Sequence, residues 1–351
     1  MIGERLKVAR HRAGMDMRTL ARAAGVSAMA ISKYERELDV PGSDVLIRLA
    51  RELGVKVEFL LRRNTLQLAE ASFRCRKALP AKQRKAVLAS VQDFAERSMQ
   101  AAELFGPVAG PDLPKVAVKD VASAERAAAR LRDCWSLGHG PIDNLTAVLE
   151  AHDVLVGPVS AEVRFDAATV RIEGEPSLPV VVVRRGVAGD RQRFSMAHEL
   201  GHLVMEPDAR LDCEKAAHRF AAALLVPAEA ARTELGETRA DLSPLELHLL
   251  KHKYGLSMQS WVMRAADLGI ITPATAAKLH RLFRVKGWHR TEPGDQIPAE
   301  EPERLKLLVL RALAEDLITE SRAAELLGVS LAEFMRHEKK AHGQFPVGVC
   351  S

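Results

Sequence analysis

Aromatic residues make up only 4% of this 351-residue chain, which holds two tyrosines and three tryptophans. That scarcity argues against a large β core, because strands are rich in aromatic and β-branched residues. Cysteine is as sparse, and Cys75, Cys134, Cys213 and Cys350 form no C-x-x-C pair. The spacing indicates neither a disulfide framework nor a thiolate zinc site, and Cys213 reads as a small buried residue. No apolar run approaches the ~20 residues that span a bilayer, and the chain enters a charged amphipathic helix directly after Met1. Neither a membrane partner nor a signal peptide is therefore expected, and a cytoplasmic location is. A strong charge of one sign is missing too: the net charge of +5 permits nucleic-acid binding without demanding it.

What the chain has is alanine- and leucine-rich helix-forming sequence, with 47% hydrophobic residues and a length that predicts two or three domains. The longest apolar run, around Val180, Val181, Val182 and Val183, reads as a buried strand. It is followed by His198-Glu199-Leu200-Gly201-His202. Histidines four apart stack on one helical face, and a carboxylate beside them can take a proton from a zinc-activated water. Ser195 reads as the N-cap of this helix and Pro207 as its stop.

A third ligand must come from another element. Residues 212–227 predict a second helix, capped by Asp212 and stopped by Pro227. On it Glu214, Ala217, Ala221 and Leu225 share a face, whose small alanines let two helices approach closely and bring Glu214 within reach of the metal. Glu206 and Asp208 lie on or just past the far end of the first helix and are weaker candidates.

These two segments resemble the ImmA/IrrE-type metallopeptidases, whose zinc helix reads roughly RFTLAHELGH and whose next helix reads roughly E-x-x-A-N-x-F-A-x-x-L-L-M-P. Arg193 through His202 and Glu214 through Pro227 carry the match, which extends over about residues 120–290. The resemblance implies His198, His202 and Glu214 as zinc ligands, Glu199 as general base, and repressors or antitoxin-like proteins as partners. Two positions depart from the pattern: His218 stands where asparagine is usual, and Val183 is followed by Arg184 rather than asparagine. His218 either donates to the oxyanion of a tetrahedral intermediate, a catalytic role, or becomes a fourth ligand that closes the site. Ser257 and Arg264 belong to the family's region as well, where a helix cap or a buried salt bridge accounts for them as readily as catalysis does.

The other end of the chain carries a second pattern. Residues 2–61 read as five short helices, with a glycine turn at Gly25 between the second and third, the helix pair that reads DNA. Leu20 through Ser27, Ile31 through Glu35 and Leu49 through Val55 resemble the phage-repressor (XRE-type) helix-turn-helix domain. By that analogy Ser27, Ala28, Met29, Ser32 and Lys33 face the major groove, Ile31 and Tyr34 face the core, and Arg18 and Arg22 contact phosphates. Met17 stands where the family commonly has a phosphate-binding glutamine, and Arg18 compensates.

The expected fold is mostly α with a small sheet (α+β). A five-helix helix-turn-helix domain spans 1–63, a helical connector 64–105 and a Pro/Gly-rich linker 106–120. A minimal zincin-like peptidase domain spans 121–290, with helices at about 122–133 and 141–152 and strands at 154–159, 163–172 and 179–184, and C-terminal helices span 291–351. The basic run Arg74, Arg76, Lys77, Lys82, Arg84 and Lys85 reads as a solvated face. Ile318 through Ser330 superficially repeats the pattern of Leu20 to Ser27, within helices expected at 303–316 and 319–338, and reads either as an ordinary packing unit or as a second DNA reader. Together these readings predict a DNA-binding transcriptional regulator with a Zn²⁺-dependent endopeptidase that cleaves a regulatory protein. Its DNA partner is a duplex operator, and the two-half-site geometry of related readers predicts a homodimer. The competing readings are a metal-containing sensor without catalysis and an antitoxin-like interaction protein.

Overall fold

A computed structural model describes residues 2–62, 66–68, 80–159, 166–173 and 177–344, with only the backbone of 67 and 338–344. Cys75, Cys350, Arg74, Arg76, Lys77 and the start of the strand expected at 163–172 lie outside the described residues. The N-terminal unit holds α1 (Ile2–Arg12), α2 (Met17–Ala24), α3 (Ala28–Glu35), α4 (Ser43–Glu52) and α5 (Val57–Leu61). Local sequence sets these boundaries. Asp16 caps α2 by accepting the Thr19 N–H at 2.7 Å, and Ser27 caps α3 by accepting that of Ala30 at 3.0 Å. Between them Gly25 adopts φ 66°, the left-handed conformation that ends a helix at little cost. Leu6, Leu20, Ile31, Leu49 and Leu60 are fully buried in this unit's core.

Next come β1 (Gln67–Leu68) and α6 (Ala81–Glu103), then β2 (Val116–Val118), α7 (Ala124–Cys134), α8 (Leu145–Ala151), β3 (Leu155–Val159), β4 (Ala167–Glu173) and β5 (Leu178–Arg184). The larger sheet has the order β1-β4-β5-β3, antiparallel except between β3 and β5. Within the stretch expected to be linker, β2 pairs in parallel with β6 (Met205–Pro207), directly after the helix that carries the His-Glu-x-x-His residues. That helix, α9, spans Gly189–Val204.

Ser195 therefore lies inside α9 and does not cap it, a correction to the expected start. The reason is tertiary. The Gly189 N–H donates to the Ile297 carbonyl at 2.8 Å, and a Cβ at 189 would sit 2.1 Å from the Pro298 oxygen. The chain around 297–298 thus crosses the start of α9 and extends the helix by contacts that no local signal carries.

The C-terminal half continues with α10 (Cys213–Leu225), α11 (Ala228–Leu235), α12 (Pro244–Tyr254), α13 (Met258–Asp267), α14 (Pro273–Val285), α15 (Arg304–Ala314), α16 (Glu320–Leu327) and α17 (Leu331–Gln344). The helix expected over 319–338 is two helices, broken where Gly328 takes φ 71°. Ser257 caps α13 by accepting the Ser260 N–H, and the fully buried Arg264 bonds Glu125 and the Val226 carbonyl. Both residues are placed as structural supports.

Candidate functional site

Helix α9 packs against α10 through an approach that depends on Gly201, since a Cβ there would meet the Phe220 ring at 2.9 Å. Ala217 and Ala221, fully buried on the facing side of α10, complete the close fit. Helical phase then brings three side chains together. His202 Nε2 lies 3.1 Å from His198 Nε2 and 3.2 Å from Glu214 Oε1, and His198 Nε2 lies 3.5 Å from Glu214 Oε2. All three donor atoms fall within 4.8 Å of one another.

Two imidazole nitrogens and a carboxylate converging in this way are a donor set suited to a divalent metal. Glu214 Oε1 is buried without a hydrogen bond, as expected of an oxygen directed at a cation. Burial holds the His202 pKa below the usual imidazole value, against the opposing pull of Glu214, and so favours the neutral form that ligates.

Glu199 projects from the same helix and is held from the sheet. The Thr169 hydroxyl on β4 donates to Glu199 Oε2 at 3.0 Å, and Thr169 is itself 6% exposed. Sequence reading missed this threonine, because nothing local links a strand residue to a helix thirty positions away. His218 is half-buried, with its ring centroid 4.6 Å from that of His198, but it is not one of the three converging donors. Its Nδ1 lies 2.7 Å from the Glu214 carbonyl oxygen. Because a carbonyl only accepts, the proton of a neutral His218 sits on Nδ1 and its Nε2 carries the lone pair. Tyr254 is occupied elsewhere: its hydroxyl donates to Glu234 at 2.9 Å, and burial pushes its pKa up to about 12.

In the N-terminal unit α3 presents Ser27, Met29 and Lys33 to solvent, and Met29 is 63% exposed. Ser32 is half-buried, and Ala28 packs partly against the core. Ile31 is fully buried and Tyr34 lies against the same core. Arg18 and Arg22 are exposed on α2, beside Met17.

Comparison with known families agrees with this division. Residues 6–60 match the helix-turn-helix family, and residues 157–266 match the IrrE N-terminal-like domain. No curated protein matches the chain significantly. The matched segments hold α2 and α3 in one case, and β4, α9 and α10 in the other.

Proposed function

From a chain that joins a helix-turn-helix domain to an IrrE-like metallopeptidase-family domain, we propose a transcriptional regulator that binds a duplex operator and cleaves a regulatory protein by zinc-dependent peptide hydrolysis. The observation that carries this reading is the convergence of His198, His202 and Glu214 beside Glu199, a carboxylate outside that donor set that accepts from the Thr169 hydroxyl. A purely structural metal site has no use for an oriented base.

His198, His202 and Glu214 would hold the zinc, which would supply Lewis acidity to acidify a water near neutral pH and polarise a carbonyl. Glu199 accepts the water proton and delivers it to the leaving amine, and Thr169 keeps the carboxylate aimed through both transfers. His218 serves beside the scissile carbonyl as an oxyanion donor when it carries a second proton on Nε2. The substrate is a repressor or antitoxin-like protein, and the enzyme works in the cytoplasm. Among the described residues no helix is long and apolar enough to cross a membrane, which is consistent with that setting.

In the DNA-binding half, α3 enters the major groove with Ser27, Ala28, Met29, Ser32 and Lys33, while Arg18 and Arg22 grip phosphates. Homodimerisation places two such helices on a two-half-site operator.

The test is Glu199→Gln, which keeps size and helix but cannot accept a proton. Metal content and operator binding are expected to match wild type, while cleavage of the co-expressed substrate falls by about 10²- to 10⁴-fold. Unchanged cleavage, or unchanged regulation in a strain where His198→Ala abolishes it, assigns the metal a sensory or structural role instead.

A further inference from the structure

The three C-terminal helices follow the spacing of the first three helices, with caps, turn and several core positions in register. At one constant offset, that between Gly25 and Gly328, buried Leu6 and Ala9 of α1 align with buried Val309 and Ala312 of α15. At the same offset Leu20, Ala21 and Ile31 align with buried Ala323, Ala324 and Phe334. Gly-Val-Ser recurs at both turns.

The backbone repeats as well. Thr319 accepts the Arg322 N–H as Asp16 accepts that of Thr19, and Ser330 accepts the Glu333 N–H as Ser27 accepts that of Ala30. The Val329 N–H reaches the Ala324 carbonyl at 3.0 Å, as Val26 reaches Ala21 at 2.9 Å. The glycines have φ/ψ 71°/26° and 66°/38°. A match in five core positions, two caps and the turn without a single insertion gives residues 304–344 the helix-turn-helix pattern, with α17 in the place of α3.

The face of α17 that corresponds to the reading face of α3 is open. Ser330, Leu331, Ala332, Met335 and Arg336 stand where Ser27, Ala28, Met29, Ser32 and Lys33 stand, and all five are exposed. None is acidic, Arg336 replaces Lys33, and apolar side chains at such positions can contact thymine methyls. Among its described side chains α17 carries one basic and one acidic residue, Arg336 and Glu333, as α3 carries Lys33 and Glu35.

The phosphate positions differ. Ser321 replaces Arg18, and Glu325, at the position of Arg22, is bonded to Arg62 and to Arg322. Such a module gains most when a first one has already docked and raised its effective concentration.

The two modules are fixed to one support. Asp93 of α6 accepts from Arg12 of α1 at 2.9 Å and from Arg97 at 3.1 Å, and Arg97 in turn donates to the Leu326 carbonyl of α16 at 2.9 Å. We infer that residues 304–344 are a second duplex-DNA reader, so that one chain contacts two separate blocks of sequence. This rests on the reading that the first module binds DNA.

The full-length protein can be used to select duplexes from a random-sequence pool, alongside Met335→Asp/Arg336→Glu and Lys33→Glu. Both sets of substitutions fall on exposed residues, and thermal melting checks that each fold is intact. Wild type is expected to select two separated blocks, with the 335/336 variant losing one block and at least tenfold in affinity, and Lys33→Glu losing the other. A 335/336 variant that selects the wild-type consensus with unchanged affinity overturns the second reader, while a loss with Lys33→Glu alone leaves the first standing and points α17 to a protein partner. If neither variant alters selection, the DNA-binding reading fails for both modules.

Discussion

The Thr169 hydroxyl lies 3.0 Å from Glu199 Oε2, so the carboxylate beside the metal-binding histidines is aimed by the sheet as well as by its own helix. Residue 169 pairs with Val181 in the β4–β5 register, which ties the orientation of Glu199 to the sheet's central pairing. Thr169→Val keeps the shape and the strand while removing the donor. Cleavage is expected to fall by about 10- to 100-fold, the usual range for groups that orient an active-site residue, with zinc stoichiometry unchanged. Metal analysis beside a single-turnover cleavage assay checks both halves of the expectation.

The donor set makes a separate prediction. Purified protein is expected to bind one zinc per chain, and His202→Ala or Glu214→Gln to lose tight binding, because each removes one of three converging atoms. His218→Ala is expected to keep the metal and lose activity, since His218 is not among those atoms. Loss of zinc from His218→Ala would instead make it a fourth ligand and the site a closed one.

The chemistry of the metal centre was legible because it is local. The four-residue spacing of His198 and His202 and the helical phase of Glu214 with Ala217 and Ala221 need no knowledge of the fold. The cap Asp212, which accepts the Lys215 N–H at 3.1 Å, was legible for the same reason. The start of α9 was not, since it depends on residues 297–298 lying across Gly189. The segment between α14 and α15 forms no helix or strand, yet its acids act as distant caps. Glu300 accepts the N–H groups of Leu145 and Thr146, and Glu292 those of Met258 and Gln259. Carboxylates are favourable at helix N-termini wherever in the chain they originate, so sequence proximity gives no sign of them. The role of α6 was hidden in the same way: a charged helix reads as solvated until its partners are known.

Those partners make the third prediction. Arg5 of α1 is fully buried and ion-paired to Glu96 of α6, which is 2% exposed. Burial pushes the Glu96 carboxyl up despite its pairing with Arg5, so desolvation is the larger influence on this pair. Arg5→Met leaves a buried carboxylate without its main partner and is expected to cost roughly 3–5 kcal/mol. Arg5→Met/Glu96→Leu is expected to recover most of that loss, because an apolar pair pays no desolvation penalty. Denaturant titration of the four proteins in the cycle measures the coupling. Additive losses would mean that Arg5 and Glu96 are not coupled and that the cost of Arg5→Met arises from its other contacts.

Acid should act first on the same joint. His11, near the end of α1, has its pKa lowered from 6.5 to about 4, chiefly by burial and then by the charges of Arg10 and Lys85, against a smaller upward pull from Glu35. The folded chain keeps this ring neutral over a range in which the unfolded chain protonates it, so the unfolded state binds more protons. Stability from this group is therefore complete above pH 6.5 and is lost progressively as the pH falls from 6.5 to about 4, with no further loss below. His11→Gln keeps a polar side chain that does not titrate, and its melting temperature is expected to vary less with pH across that window. Parallel melting curves of wild type and His11→Gln between pH 7 and pH 4 test the assignment, and identical slopes would place the acid sensitivity elsewhere. Because α1 rests on α6 through Arg5 and Arg12, the first sign of acid loosening is expected in amide exchange along α1, ahead of any loss around the metal ligands.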